Sequence, residues 1–218
     1  MEESESYPRY EDYAITWLCA LPVEMAAAEA MLDRRNPDLP TKHNDSNTYI
    51  LGRVHYHNVV IACLPCGVYG TVSAATIATE IRFTFPSIQF GLMVGIGGGV
   101  PGPHTNIRLG DVVVSKPSRE FGGVVQYDFG KLLESRHFVR TGVLNKPPTL
   151  LLTAISRLQA AHMLRGNGLS DLVSSTLSMY PHMKETFQCP EERKDVNLGC
   201  FDRQPISETS RQQKENGS

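Results

Sequence analysis

Ser87-Ile88-Gln89-Phe90-Gly91-Leu92-Met93-Val94-Gly95-Ile96-Gly97-Gly98-Gly99-Val100-Pro101-Gly102 runs from an apolar segment directly into glycine. Residues Ile88 to Val94 carry apolar and β-branched side chains with little alternation, which predicts a central strand covered on both faces. Gly95, Gly97, Gly98 and Gly99 then let the backbone turn sharply or approach another body with no Cβ in the way. A buried strand ending in bare main chain points to a ligand site at the carboxyl edge of an open α/β sheet, although a tight turn that only reverses the chain uses the same residues.

Gly97 to Gly102 spells G-x-G-x-x-G, and Glu120 lies at about the distance of a ribose-binding acid. A dinucleotide site needs a helix opening inside that motif, with its N-terminus toward the pyrophosphate. Pro101, Pro103, His104 and Asn106 follow instead, which is loop chemistry. The dinucleotide reading is therefore set aside.

The chain has 218 residues, of which 41% are hydrophobic, suiting one domain with or without a tail. Its 21 basic and 23 acidic residues give a net charge of −2 without a cluster of Lys and Arg, so the footprint of a nucleic-acid binder is missing. The first residues, Met1-Glu2-Glu3-Ser4-Glu5-Ser6, are acidic where a signal peptide is basic and then apolar, and no stretch approaches the roughly 18 apolar residues of a spanning helix. These features predict a cytoplasmic protein with no membrane partner. Cys19, Cys63, Cys66, Cys189 and Cys200 are odd in number and sit mostly in apolar contexts, as reduced thiols do. Cys63-Leu64-Pro65-Cys66 is a C-x-x-C that reads as a redox pair, as half of a zinc site lacking its second half, or as small buried hydrophobes; the last is preferred. No metal site and no cofactor are expected.

Along the chain, residues 1–12 form a polar tail, 13–183 a domain, and 184–218 a segment of charges, Pro, Ser, Gln and Gly whose composition predicts disorder. Tyr13 to Cys19 is a strand, and Pro22 opens a helix with Met25, Ala28 and Leu32 on one face and Glu24 in its first turn. There Glu24 either complements the helix dipole or serves as an acid or base on the edge occupied by the glycine loop. Asn36 to Asn47 reads as loop, and Thr48 to Val54 with Val59 to Leu64 as a hairpin. Thr71 caps a helix striped by Ala74, Ile77, Ala78 and Ile81. Val112 to Ser115 reads as a short buried strand and Phe121 to Tyr127 as a further one. Leu151, Ala154, Ile155 and Leu158 stripe a helix closed by Gly166 and Gly168, and a second helix spans Ser170 to Tyr180. These elements describe a mixed α/β sheet.

Four blocks in order, Ala14 to Ala27, Cys66 to Gly70, Val94 to Val100 and Leu109 to Ser115, resemble the nucleoside phosphorylase and 5′-methylthioadenosine nucleosidase superfamily over residues 13–183. The resemblance is closest to fungal nucleoside phosphorylase-like domains that stand before NACHT or ankyrin-type modules. It implies a three-layer α/β sandwich around a mixed β-sheet, cleavage of the N-glycosidic bond of a purine nucleoside, and substrate binding by Ala20, Gly67, Val68, Gly95, Ile96, Gly97 and Gly98. Glu24 matches the glutamate that activates water in the nucleosidases, where hexameric phosphorylases carry a phosphate-binding arginine. Met93 and Ile96 fall where those phosphorylases place an Arg and a Ser. The phosphate clamp is thus replaced by a carboxylate and two apolar side chains, which makes hydrolysis the expected chemistry rather than phosphorolysis.

The later family motifs do not occur after Met183: the Met-Glu pair on the ribose hydroxyls, the Asp that protonates the leaving base, and the aromatic that stacks on it. The sandwich is read as truncated, with an exposed edge that a homo-oligomer or another partner would cover. Three functional readings follow: a nucleoside hydrolase, a non-catalytic nucleoside-sensing or regulatory module, and a fragment without function.

Overall fold

The computed structural model describes residues 7–100, 102, 107–108, 110–134 and 137–187. Its elements are β1 (Ile15–Cys19), α1 (Pro22–Ala30), β2 (Arg34–Arg35), β3 (Tyr49–Val54), β4 (His57–Cys63), α2 (Thr71–Thr84), β5 (Phe90–Met93), β6 (Gly130–Leu132), β7 (Phe138–Arg140), α3 (Thr149–Arg165), α4 (Leu169–Met179) and α5 (Pro181–Phe187). A five-stranded mixed sheet has the order β2-β3-β4-β1-β5, with β1 parallel to both β4 and β5 and the β2-β3-β4 side antiparallel.

Strand alternation sorts the core onto two faces of this sheet. Leu18, Val60 and Ala62 face one way and pack with Ile77 and Ile81 of α2 and with Phe85. Their neighbours Cys19, Val59 and Ile61 face the other way and pack with Ala28 of α1, joined by Met25, Leu32 and Trp17. A helix therefore lies on each face, an arrangement compatible with an α/β sandwich. Phe85 is the hub of the first cluster, with ring centroids 5.7 Å from Tyr10, 5.5 Å from Tyr13 and 5.1 Å from Tyr49. Tyr10 lies in a short 3-10 turn, Tyr10–Asp12, inside the segment expected as a polar tail; residues 1–6 of that segment lie outside the described residues.

Local chemistry explains the helix starts. Pro22 stands at the first helical position of α1, where a missing N–H costs nothing. Gly70, at φ 106°, holds the cap of α2 that was expected for Thr71, because the chain arrives there in a conformation that a β-branched residue resists.

Several expectations need correction. The segment read as a central strand is an edge: among the described residues β5 pairs only with β1, and its Leu92 and Met93 are exposed. The centre of the sheet belongs to β4 and β1. Val112 to Ser115 is not a strand, and its three valines are exposed. Phe121 to Tyr127 contributes only an isolated bridge, Ser118 with Phe121. High β propensity reflects fit to a half-buried pleated surface, and among the described residues these segments have no neighbouring strand to supply it. The β6–β7 hairpin and the two-residue β2 were not expected. The apolar stripe of α3 does not become core, since α3 contains no buried residue. Every buried hydrophobic side chain among the described residues lies between Tyr13 and Phe85. α5 carries helix through residues 184–187, past the expected end of the domain at Met183; residues 188–218 lie outside the described residues.

The two sheet edges differ in character. β2 is two residues long and charged, and Arg35 pairs with Glu29 at 2.8 Å and Asp38 at 3.8 Å. From Ser87 to Val100, the β5 edge and the loop beyond it contain no charged residue.

Candidate functional site

Because β1, β4 and β5 run parallel, the loops after Cys19, Cys63 and Met93 all leave from the same edge of the sheet. Main-chain bonds extend the pairing into these loops, with the Leu64 N–H donating to the Cys19 carbonyl at 2.9 Å and the Val94 N–H to the Leu18 carbonyl at 3.0 Å.

Glu24 sits at the junction. Its position in the first turn of α1 carries the carboxylate back over the end of β1. There Oε2 accepts the N–H groups of Ala20 at 2.7 Å and Leu21 at 2.9 Å. The other oxygen, Oε1, accepts the N–H of Ile96 at 2.7 Å, from the loop after β5. The side chain is buried, with 8% of the residue exposed. Burial pushes its pKa up, but the three N–H donors from Ile96, Leu21 and Ala20 outweigh that and hold it below the ordinary glutamate value. The group is thus a carboxylate anion, bound by three main-chain donors and keeping one further lone-pair direction for a fourth.

Gly95 is required by this packing: a Cβ built on it would lie 2.7 Å from Oε1 of Glu24. Gly97 and Gly98 face open space, with nothing within 4 Å of an added Cβ. Gly67, at φ 80°, lies in the turn closed by the Val68 N–H and the Pro65 carbonyl at 2.9 Å. The structure therefore brings Ala20, Glu24, Gly95 and Ile96 into direct contact, and leaves Gly67, Val68, Gly97 and Gly98 exposed on the loops of that edge. Pro101, His104 and Asn106 of the glycine-rich loop lie outside the described residues.

The C-x-x-C does not form the helix-opening pair of a redox motif. Cys63 ends β4, Cys66 lies in the turn, and α2 starts only at Thr71. Cys63 instead stands opposite Cys19 in the β1–β4 register, and the three described thiols are free. Burial, with the nearby Cys63 and Glu24, pushes the Cys19 thiol up to about 12. No group of three or more His, Cys, Asp and Glu side chains with metal-holding geometry occurs among the described residues, and no helix there is long and apolar enough to cross a membrane.

One polar cluster had no counterpart in the sequence reading. The Asp45 carboxylate accepts the Tyr49 hydroxyl at 2.7 Å, the Asn47 N–H at 2.9 Å and the Thr84 hydroxyl. Burial pushes the Asp45 pKa up, but these donors outweigh it and leave it below its ordinary value. Together with the Lys42 ammonium, which donates to the Thr84 carbonyl at 2.7 Å, it pins the 36–47 loop to the end of α2. The Asp-x-Asn spacing, an Asx-turn pattern, was the available signal. A cavity of about 150 Å³ lies beside this cluster, and an open groove of about 1000 Å³ runs along α2; neither is lined by Glu24.

The chain is similar to a protein of Hyaloscypha variabilis described as a nucleotide-binding leucine-rich repeat (NLR)-like protein, at 46% identity over 187 residues. The match covers 85% of this chain but only 18% of the length of that relative. No family model matches the chain, and no solved structure matches it.

Proposed function

We propose that this chain is a nucleoside phosphorylase-like domain of nucleoside metabolism that cleaves the N-glycosidic bond of a purine nucleoside by hydrolysis. One observation carries the reading: an ionised carboxylate, Glu24, is held at the carboxyl edge of the parallel strands by main-chain donors from the loops after β1 and β5. In glycoside cleavage the bond from C1′ to the base nitrogen breaks and the sugar gains oxocarbenium character as water attacks C1′; a carboxylate that accepts the water's proton while facing the cationic sugar stabilises that state, and the departing purine takes its proton from solvent. Glu24 is unprotonated and has a lone-pair direction to spare for such a water. Its own oxygens occupy the N–H groups that a phosphate would need, and a phosphate dianion beside a buried carboxylate would be repelled. Both facts favour water over phosphate as the nucleophile. Ala20, Gly95 and Ile96 frame the carboxylate in this reading, with Gly67, Val68, Gly97 and Gly98 contributing exposed main chain to the sugar.

A second reading is a nucleoside-sensing module without turnover, favoured by the similarity to one part of a much longer NLR-like protein. The deciding experiment incubates the full chain and its Glu24→Gln variant with adenosine or 5′-methylthioadenosine, with and without phosphate, and follows free base and the thermal midpoint. Hydrolysis predicts base release without phosphate, lost in the folded variant while ligand still raises the midpoint. A shifted midpoint without release selects the sensor, and ribose 1-phosphate formed only with phosphate overturns the hydrolytic reading.

A further inference from the structure

We propose that α3 is a docking face for a helix of a partner protein whose apolar seam carries carboxylates. A seven-residue spacing along α3 defines the face. Leu150, Arg157 and Leu164 form one column along the helix, Leu151, Leu158 and Arg165 a second, and Ala154 and Ala161 lie between them. Repetition every seven residues is the pattern that seats one helix against another. The intervening alanines let a partner axis approach to about 8–10 Å.

The face stands open and its charge is unbalanced. α3 contains no buried residue; Leu150 is 57% exposed and Leu164 79%, and Arg157 and Arg165 are exposed with them. Neither arginine makes an ion pair among the described residues, where the salt bridges involve Arg35, His55 and Arg108. The neighbouring sequence supplies no counter-charge: it holds Arg140, Lys146, Arg157 and Arg165, but no Asp or Glu occurs between Glu134 and Asp171.

Charge selects the occupant. Arg157 stands midway between Leu150 and Leu164, so a second copy of α3 docked in register, parallel or antiparallel, would set guanidinium on guanidinium. An anionic lipid surface fits poorly as well. A membrane-surface helix separates an apolar face from a charged one. On α3 the guanidiniums interrupt the apolar columns, and the opposite side, Leu152, Ser156, Gln159 and Met163, carries no charge. A helix with Glu or Asp at the matching seam positions answers both features: its apolar side chains cover the leucines and its carboxylates accept the guanidinium N–H groups. A single charged position within such a seam also fixes the register of the pair.

Anisotropy titration of the full chain with labelled three-heptad peptides tests this. One peptide carries Leu on its seam, with Glu at the central seam position and beside it; its counterpart has Lys in place of each Glu. The parent chain is expected to bind the Glu peptide at least about tenfold tighter than the Lys peptide, with affinity falling as salt is raised. The chain carrying Arg157→Glu with Arg165→Glu should reverse that preference, a gain that a misfolded variant cannot give. Vesicles of phosphatidylcholine with and without phosphatidylserine are titrated beside the peptides. Equal binding of both peptides, binding of neither, no reversal in the variant, or a stronger response to phosphatidylserine vesicles than to the Glu peptide overturns the proposal.

Discussion

The Ile96 N–H and Glu24 Oε1 meet at 2.7 Å across 72 residues of sequence, so one carboxylate ties the loop after β5 to the first turn of α1. With the Ala20 and Leu21 donors on its other oxygen, this contact fixes the ends of two parallel strands relative to each other. Replacing Glu24 by Gln keeps the size but turns one acceptor into an NH2 group facing an N–H donor. The substitution is expected to cost ~1–3 kcal/mol, read as a lower urea midpoint with an unchanged slope.

The same group sets a pH dependence. Its folded-state pKa lies below its unfolded-state value, so the stability it contributes is complete above the unfolded pKa and is lost as pH falls through the folded one. Asp45 is depressed as well and acts with the same sign. The acid limb of the stability curve should therefore be shallower in Glu24→Gln than in the parent, and the difference between the two curves isolates Glu24. Parallel curves below neutral pH would show that folding does not depress the Glu24 pKa.

Gly95 and Gly97 separate packing from flexibility. Neither requires positive φ, but an alanine at 95 drives its Cβ into the Glu24 carboxylate, whereas an alanine at 97 meets nothing. Gly95→Ala should destabilise by ~1–3 kcal/mol and Gly97→Ala by less than about 0.5 kcal/mol, measured side by side in denaturant.

Phe85 is 1% exposed and touches three tyrosine rings. Phe85→Ala should cost ~3–5 kcal/mol and lower the cooperativity of the melt, because it removes the packing centre between α2 and the sheet.

The thiols should report the fold in order of access. Cys66 is exposed, Cys63 is half-buried with its pKa raised by burial and then by Glu24, and Cys19 is fully enclosed. Among these three thiols, alkylation with peptide mapping should label Cys66 first, Cys63 slowly and Cys19 only on unfolding. Early labelling of Cys19 would contradict the β1–β4 packing.

Sequence and structure agree best where local pattern and neighbour coincide. Tyr13 to Cys19, the 49–63 hairpin and the two flanking helices were legible because alternation and helical stripes found partners within about 70 residues of chain. Glu24 was legible as a residue of the first turn facing the glycine loop, since Pro22 fixes the helix start and parallel strands share one exit edge. Its bonds to three separate N–H groups were not, because main-chain donors leave no mark in the side-chain pattern. Val112 to Ser115 misled for a physical reason: a β-branched run signals a surface that pairs well, and says nothing of whether a strand stands beside it. The Asp45 cluster was hidden in a loop whose order comes from a threonine 39 residues away.

The contrast between the two edges of the sheet makes the fold a one-way template. The β2 side carries Arg34 and Arg35, whose charges disfavour further pairing, while among the described residues the outer edge of β5 is uncharged and pairs with no strand. Growth of the sheet is thus polarised: a strand added from any source would join beyond β5, on the side where Ile96 holds Glu24.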